Sequence, residues 1–221
     1  MPLKSVGPTE TLDFERVSAA LCEQAGRFGA ATLHEAAGKI GVLPPAIKPM
    51  APGFRVCGPA FTVHGPGTDN LWLHRAMLAA QPGDVLVAYV SGVYEAGYWG
   101  EIMSTGAKAA KLGGLVIDGC VRDGDLLPAI GFPVFARGLC IRGTGKDFGA
   151  QGWLGAPVML GDVVVKAGDL IVGDMDGVVA IPREQAEEAV KASALREKTE
   201  ADIIKQLQNG ANTLDLYGWN E

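Results

Sequence analysis

The chain is short of the residues that build metal cages, disulfide frameworks and membrane anchors. It holds four cysteines in 221 residues, Cys22, Cys57, Cys120 and Cys140, widely spaced and without a C-x-x-C pair. Neither a disulfide scaffold nor a zinc knuckle is indicated, and the four read as reduced packing residues. Cys120, two residues before Arg122, could serve as a nucleophile, but no histidine lies near it in sequence. The three histidines, His34, His64 and His74, lack metal-ligand spacing. Long apolar runs are missing too: hydrophobic residues make up 48% and mean hydropathy is +0.18, yet no run approaches the roughly 18 residues that cross a bilayer. Membrane is therefore not expected as a partner, and burial against further copies of the chain is the economical account of so much apolar surface. There is no basic cluster, and a net charge of −6 with a pI of about 5.1 argues against nucleic acid as a partner. Met1 to Pro8 carry no apolar leader segment, so the expected location is the cytoplasm.

What is present is organised around residues 114–123. Leu115, Val116 and Ile117 form a short continuous apolar run between Gly113-Gly114 and Asp118-Gly119, the pattern of a strand covered on both faces. Arg122 and Asp123 follow in the loop past its carboxyl end, a place where a rigid scaffold presents reachable side chains. A surface ion pair is the alternative for these two.

The rest of the chain alternates helical and extended patterns. Residues 13–37 predict a first helix with Phe14, Val17, Leu21 and Cys22 on one face, interrupted by Gly26 to Gly29 and followed by a short helix carrying Glu35. Pro44, Pro45, Pro49 and Pro52 forbid regular structure until about Phe54. Phe54 to His64 reads as a strand in which Gly58-Pro59 marks a bulge or an edge. Asp69 or Asn70 suits the cap of a helix from Leu71 to Ala80. Asp84 to Val90 is a strand, and a glycine-rich loop leads from it to a helix starting at Gly100, which completes a βαβ unit. Leu126 to Ile130 is helical, ended by Gly131, and Pro133 to Ala136 is extended. The Gly143 to Asp147 segment resembles a phosphate loop only superficially, since its spacing fails and Asp147 stands where a hydroxyl residue belongs. Four short strands between Pro157 and Ile181, separated by Gly-Asp turns, have the rhythm of a small barrel or sandwich. A long helix runs from Glu184 to about residue 209, with Ala189, Leu195, Ile203, Ile204 and Leu207 apolar and Gly210 as its end. With no linker to divide it, residues 1–221 form one domain of compact, mixed-sheet, barrel-like α/β type with helices at both ends of the chain.

The chemistry follows from the edge of that sheet. The first amides of the helix opened by Gly100 and Glu101 are unsatisfied donors, a docking place for a small carboxylate. Arg122 offers a planar fork for a carboxylate or an enolate oxygen, and Asp123 can bind a hard cation. Too few ligands are visible for zinc, whereas Mg2+ or Mn2+ keeps several waters and takes one or two carboxylates. Lys108 and Lys111 occupy exposed-looking helical positions, which disfavours a Schiff base. The set suits retro-aldol or decarboxylation chemistry on a small 2-oxo acid.

An acidic residue, 20 intervening residues, then Arg-Asp, with Asp-Gly-x-x-Arg-Asp after a buried strand, resembles the 4-hydroxy-4-methyl-2-oxoglutarate/4-carboxy-4-hydroxy-2-oxoadipate aldolase family. That family is related to the regulator of ribonuclease activity A, and the resemblance runs from Ala30 to the closing Leu214 to Tyr217. It implies a swivelling β/β/α fold. It further implies a divalent-metal pyruvate aldolase, with oxaloacetate decarboxylation as a companion activity in aromatic-acid catabolism, assembled as trimers or hexamers with sites between subunits. Carried over by the motif, Asp123 holds the metal, Arg122 the pyruvyl group, and the amides of Ile102 and Met103, after Gly100, its carboxylate. Glu101 stands where the family has Asp. Glu35 and Glu200 match the further acidic residues near the metal, contributed from a neighbouring subunit, with the helix of residues 184–209 at the interface. Glu197 competes for the second of these roles, and a solvated helix face is the other reading of Glu200. The rival function is a non-catalytic regulator that binds a ribonuclease; a methyltransferase lacks any glycine-rich nucleotide fingerprint here.

Overall fold

The computed structural model describes residues 12–220; Met1 to Pro8, read above for leader signals, lie outside them. The chain enters as an extended segment rather than as the helix expected from residue 13. Helix α1 (Ala19–Ala25) starts only where Ser18 caps it, its hydroxyl accepting from Leu21 N at 3.2 Å. The residues before it are held elsewhere: Val17 N donates to Gly168 O at 3.3 Å, and Arg16 pairs with the buried Asp84 at 2.8 Å. Helix α2 (Ala30–Ala36) follows, with Asp174 accepting from its first amide at 2.8 Å.

An eight-stranded sheet carries the fold. Its strands are β1 (Lys48–Pro49), β2 (Val56–His64), β3 (Val85–Tyr89), β4 (Gly114–Ile117), β5 (Val134–Ala136) and the short β6 (Trp153–Leu154). After a separate hairpin, β7 (Val158–Leu160) with β8 (Val163–Val165), come its last two strands, β9 (Leu170–Asp174) and β10 (Gly177–Ile181). The order is β1-β5-β4-β3-β2-β9-β10, with β6 on β2. Strands β2 to β5 are parallel. They are joined by crossover helices α3 (Leu71–Ala79), α4 (Glu101–Ala109) and α5 (Leu127–Ile130), as parallel pairing requires. The four strands expected between Pro157 and Ile181 thus do not make a unit of their own; only the last two join the sheet.

Gly58-Pro59 marks neither an edge nor a bulge, but the place where β2 changes neighbours. Residues Val56 to Pro59 pair with β9, and Ala60 onward pairs with β3. Proline's missing donor therefore falls at the last pair with β9, just before pairing with β3 begins, and a Cβ on Gly58 would lie 2.4 Å from Gly83 O. The proline-rich segment before β2 then brings the sheet round towards closure. Leu43 N donates to Val178 O and Ala180 N to Gly41 O on the β10 edge, while Lys48 and Pro49 pair with β5 on the other. At Gly41 (φ +73°) an added Cβ would lie 1.9 Å from Ala180 O, so this approach needs glycine.

Leu115, Val116 and Ile117 are fully buried, as their unbroken apolar run requires, within a core that includes Phe61, Leu86, Val134 and Phe135. A second apolar cluster lies under α1, α2 and the long helix α6 (Arg183–Gln208). That helix packs through Ala186, Ala189, Val190 and Ser193 in its first half, whereas Leu195 and Ile204, expected on its apolar face, are exposed. A short α7 (Thr213–Tyr217), capped by Asn212, follows. Among the described residues no helix is long and apolar enough to cross a membrane.

Candidate active site

The parallel strands deliver their loops to one edge of the sheet. Just past strand β4 comes Asp118, 1% exposed, which accepts from Arg137 Nε at 2.6 Å, while the Arg137 guanidinium lies 3.8 Å over the Tyr94 ring. Asp118 is buried while Arg137 is partly exposed, so removing the arginine, which strands a buried carboxylate, costs more than removing the aspartate. The role of the pair is to fix the loop that carries Arg122 and Asp123. That loop is further tied by Arg122 N to Trp99 O at 2.8 Å and Cys140 N to Val121 O at 2.8 Å.

Asp123 sits at φ +61°, a left-handed backbone that aspartate tolerates better than most residues. The conformation turns its carboxylate onto the start of α4, where Oδ2 accepts from Glu101 N at 2.9 Å. Arg122 Nε lies 3.8 Å from the same oxygen, and both side chains stay open to solvent. Gly100 makes the approach possible: its φ of −165° is ordinary extended backbone, but an added Cβ would stand 2.3 Å from Asp123 Oδ2.

The first regular bond of α4 is Ser104 N to Gly100 O at 2.9 Å. With Glu101 N taken by Asp123, the amides of Ile102 and Met103 are the donors left over at this helix start, among the described residues. Gly100, Ile102, Met103, Arg122 and Asp123 line a cleft of about 140 Å³ together with Asn70, His74, Tyr98, Trp99 and Lys146. On the other flank of Arg122, a wider groove is lined by Asp125, Leu126, Leu139 and Ile141. Asn70, 6% exposed, donates to Tyr98 O at 2.9 Å and so fixes the wall of the cleft. Burial, and then the charge of Lys146, hold His74 below the usual imidazole range, against an opposing pull from Asp69.

The sequence-derived residues thus fall into two groups. Gly100, Glu101, Ile102, Met103, Arg122 and Asp123 meet at one sheet edge. Glu35 and Glu200 do not join them within one chain: both carboxylates pair with Arg196, Glu200 at 2.7 Å, where α2 packs on α6. Burial first, and then the neighbouring Cys140, push the Cys120 thiol upward, away from the thiolate that a nucleophile needs. Lys108 and Lys111 are exposed, as expected. His74, Asn70 and Lys146 went unnoticed as site residues. Their signal was faint: a histidine four residues after Asn70 at the start of α3, and a lysine in a glycine-rich loop.

The donor set fits a hard divalent ion. Asp123 has one carboxylate oxygen engaged by the Glu101 amide and the other without a hydrogen bond. Among the described residues no group of three or more His, Cys, Asp or Glu side chains converges, so zinc has no cage. An ion of the magnesium type, which keeps most of its water, needs none.

Comparison with known proteins gives the family and the fold. A family model named RraA-like, described as Aldolase/RraA, matches residues 18–180. A protein of Halalkalibacterium halodurans named "Putative 4-hydroxy-4-methyl-2-oxoglutarate aldolase" is 38% identical over 171 residues, 77% of this chain and 80% of that one. Among solved structures, an uncharacterized protein from Pseudomonas syringae superposes with a TM-score of 0.79 at 28% identity, over 90% of this chain and 93% of that one. Streptomyces coelicolor RraAS2, titled an unusual member of the RNase ES inhibitor RraA protein family, gives 0.75 at 28% identity, over 86% and 98%. With a family model matching most of its length and a close relative over three quarters of it, the chain belongs to the RraA-like family of aldolases and RraA proteins.

Proposed function

We propose that the protein is a divalent-metal-dependent aldolase that cleaves a 4-hydroxy-4-substituted 2-oxo-dicarboxylate, such as 4-hydroxy-4-methyl-2-oxoglutarate or 4-carboxy-4-hydroxy-2-oxoadipate, and releases pyruvate. One observation carries the reading: a guanidinium, a carboxylate and two spare helix amides share a single small cleft. The amides of Ile102 and Met103 hold the C1 carboxylate of the substrate, with the positive end of α4 behind them. Arg122 presents its fork to the 2-oxo oxygen, where negative charge gathers as the C3–C4 bond breaks. The C4 hydroxyl loses its proton as the C4 carbonyl forms. The bonding pair passes to the pyruvate enolate, which then takes a proton at C3. To Glu101, whose backbone amide binds Asp123 on the same edge, falls the role of positioning water for these proton transfers. Asp123 would hold Mg2+ or Mn2+, and the bound ion would supply Lewis acidity for the enolate that forms. The same arrangement serves oxaloacetate decarboxylation, where carbon dioxide leaves in place of the second carbonyl compound.

The test is pyruvate release from a panel of 4-hydroxy-2-oxo acids, with added magnesium and with excess EDTA. Release is expected with magnesium and is lost on chelation; undiminished turnover in EDTA would remove the metal from the reading. The second reading is a regulator that binds a ribonuclease, favoured by the likeness to RraAS2. Inhibition of a ribonuclease by the Asp123→Ala protein, together with no pyruvate release by the parent, would favour it.

A further inference from the structure

The loop from Gly143 to Asp147, which the proposed reaction leaves unused, is fastened to the rim of the cleft. Gly145 N donates to Thr68 O at 2.7 Å, and Asn70 N donates to Gly145 O at 3.3 Å. Asp147 N donates to Asp69 Oδ2 at 2.6 Å, and the other oxygen of Asp69 accepts from Leu71 N at 2.8 Å. Asp69 is 6% exposed, so one buried carboxylate binds this loop to the start of α3. The clamp puts Lys146 on the cleft wall with His74, in the same cavity as Arg122 and the α4 amides. With both Asp69 oxygens engaged by amides, Lys146 makes no salt bridge among the described residues. His74, held below its usual range, offers a neutral N–H near pH 7.

The cleft therefore contains two separate places for negative charge. One is the helix start with Arg122, and the other is Lys146 with His74. The groove on the opposite flank of Arg122 offers Leu126, Leu139, Ile141 and an acid, Asp125, which repels an anion. The geometry points to Lys146, assisted by His74, as the subsite that takes a second carboxylate of the substrate, so that the protein selects 2-oxo dicarboxylates over 2-oxo monocarboxylates. This inference rests on the aldolase reading for its substrate, but its test reads binding.

The experiment is calorimetric titration, with saturating magnesium, of 2-oxoglutarate and of 2-oxobutyrate, which share the 2-oxo acid head and differ in the distal carboxylate. The parent protein should prefer 2-oxoglutarate by about tenfold or more, the worth of one charge-assisted contact at a partly exposed site. Lys146→Met should erase the preference while leaving 2-oxobutyrate affinity within about twofold, and Lys146→Arg should keep most of it. A parent without preference, a Lys146→Met protein that retains it, or equal weakening towards both ligands would each overturn the subsite. If the preference vanishes in Lys146→Met while no 4-hydroxy-2-oxo acid yields pyruvate, the subsite stands and the aldolase reading falls. If the parent yields pyruvate and Lys146→Met leaves its di- to monocarboxylate ratio of kcat/KM unchanged, the aldolase reading stands and the subsite falls.

Discussion

Gly100→Ala isolates the geometry of the proposed site from its chemistry, because it adds one methyl group and changes no charge. The new Cβ would lie 2.3 Å from Asp123 Oδ2, 3.0 Å from Arg122 Cγ and 3.1 Å from Asp123 Cγ, whereas ordinary contact begins at 3.4 Å. The carboxylate oxygen must retreat by about 1.1 Å, which stretches its 2.9 Å bond from Glu101 N to about 4 Å, beyond hydrogen-bond range. Misplacement of about 1 Å in a reacting constellation costs on the order of 10²-fold, about 2.7 kcal/mol of transition-state stabilisation. The backbone at Gly100 is extended, so alanine adds no dihedral strain, and the side chains it displaces are solvent-exposed. Stability should therefore change by less than about 1 kcal/mol. The assay pairs kcat/KM for pyruvate release with a thermal melt and a magnesium titration. Expected are a rate constant down about 10²-fold, weakened magnesium binding and a melting temperature within a few degrees of the parent. A wild-type kcat/KM in a folded Gly100→Ala protein would refute the claim that Asp123 acts from the position seen here.

Three further outcomes follow from the same geometry. Arg122→Lys keeps the charge but loses the planar fork, and should lower kcat/KM by on the order of 10²-fold in steady-state assays, with Arg122→Ala lower still. Burial holds both His64 and His74 below 6.5, so the unfolded chain takes up protons there that the folded chain refuses. Stability should fall as pH drops from about 7 towards 5, by at most about 1.4 kcal/mol per pH unit for each histidine and less for their partial exposure; urea midpoints across that range measure it, and His74→Gln should flatten the slope. If Glu200 serves a neighbouring copy, Asp123→Ala and Glu200→Ala subunits, dissociated and reassembled together, should recover part of the activity that each lacks alone. No recovery in a trimer or hexamer shown by sedimentation would leave Glu200 as a partner of Arg196 only.

The elements easiest to read in the sequence are those whose environment is local or uniform. Leu115 to Ile117 are buried on both faces, so their pattern is unbroken, and the amide of Leu71 finds Asp69 two residues away. Residues 13–17 mislead because their apolar spacing serves an extended segment whose partners, Asp84 and Gly168, are far along the chain. The helical period of Leu195 and Ile204 likewise describes a face that nothing in one chain covers. Around the cleft, Arg122 and Asp123 stand out as adjacent opposite charges after a buried strand. Lys146 does not, because a clamp through Asp69, remote in sequence, decides where it goes. Glu35 and Glu200 carry no local sign that one arginine joins them.

The left-handed backbone at Asp123 bears on how such a protein changes over time. Few residues accept that conformation without strain, and asparagine is among them. Asp123→Asn keeps the volume, the turn and an acceptor oxygen for Glu101 N, yet abolishes the charge. A single base change therefore separates a chain with the carboxylate proposed to hold the metal from one with the same surface and no such group. The scaffold is held mainly by the Asp118–Arg137 pair and the buried strand behind it, and the exposed charge of Asp123 at the start of α4 adds only a small contribution. Chemistry and fold are separable at this position, and a lineage can shed the first without endangering the second.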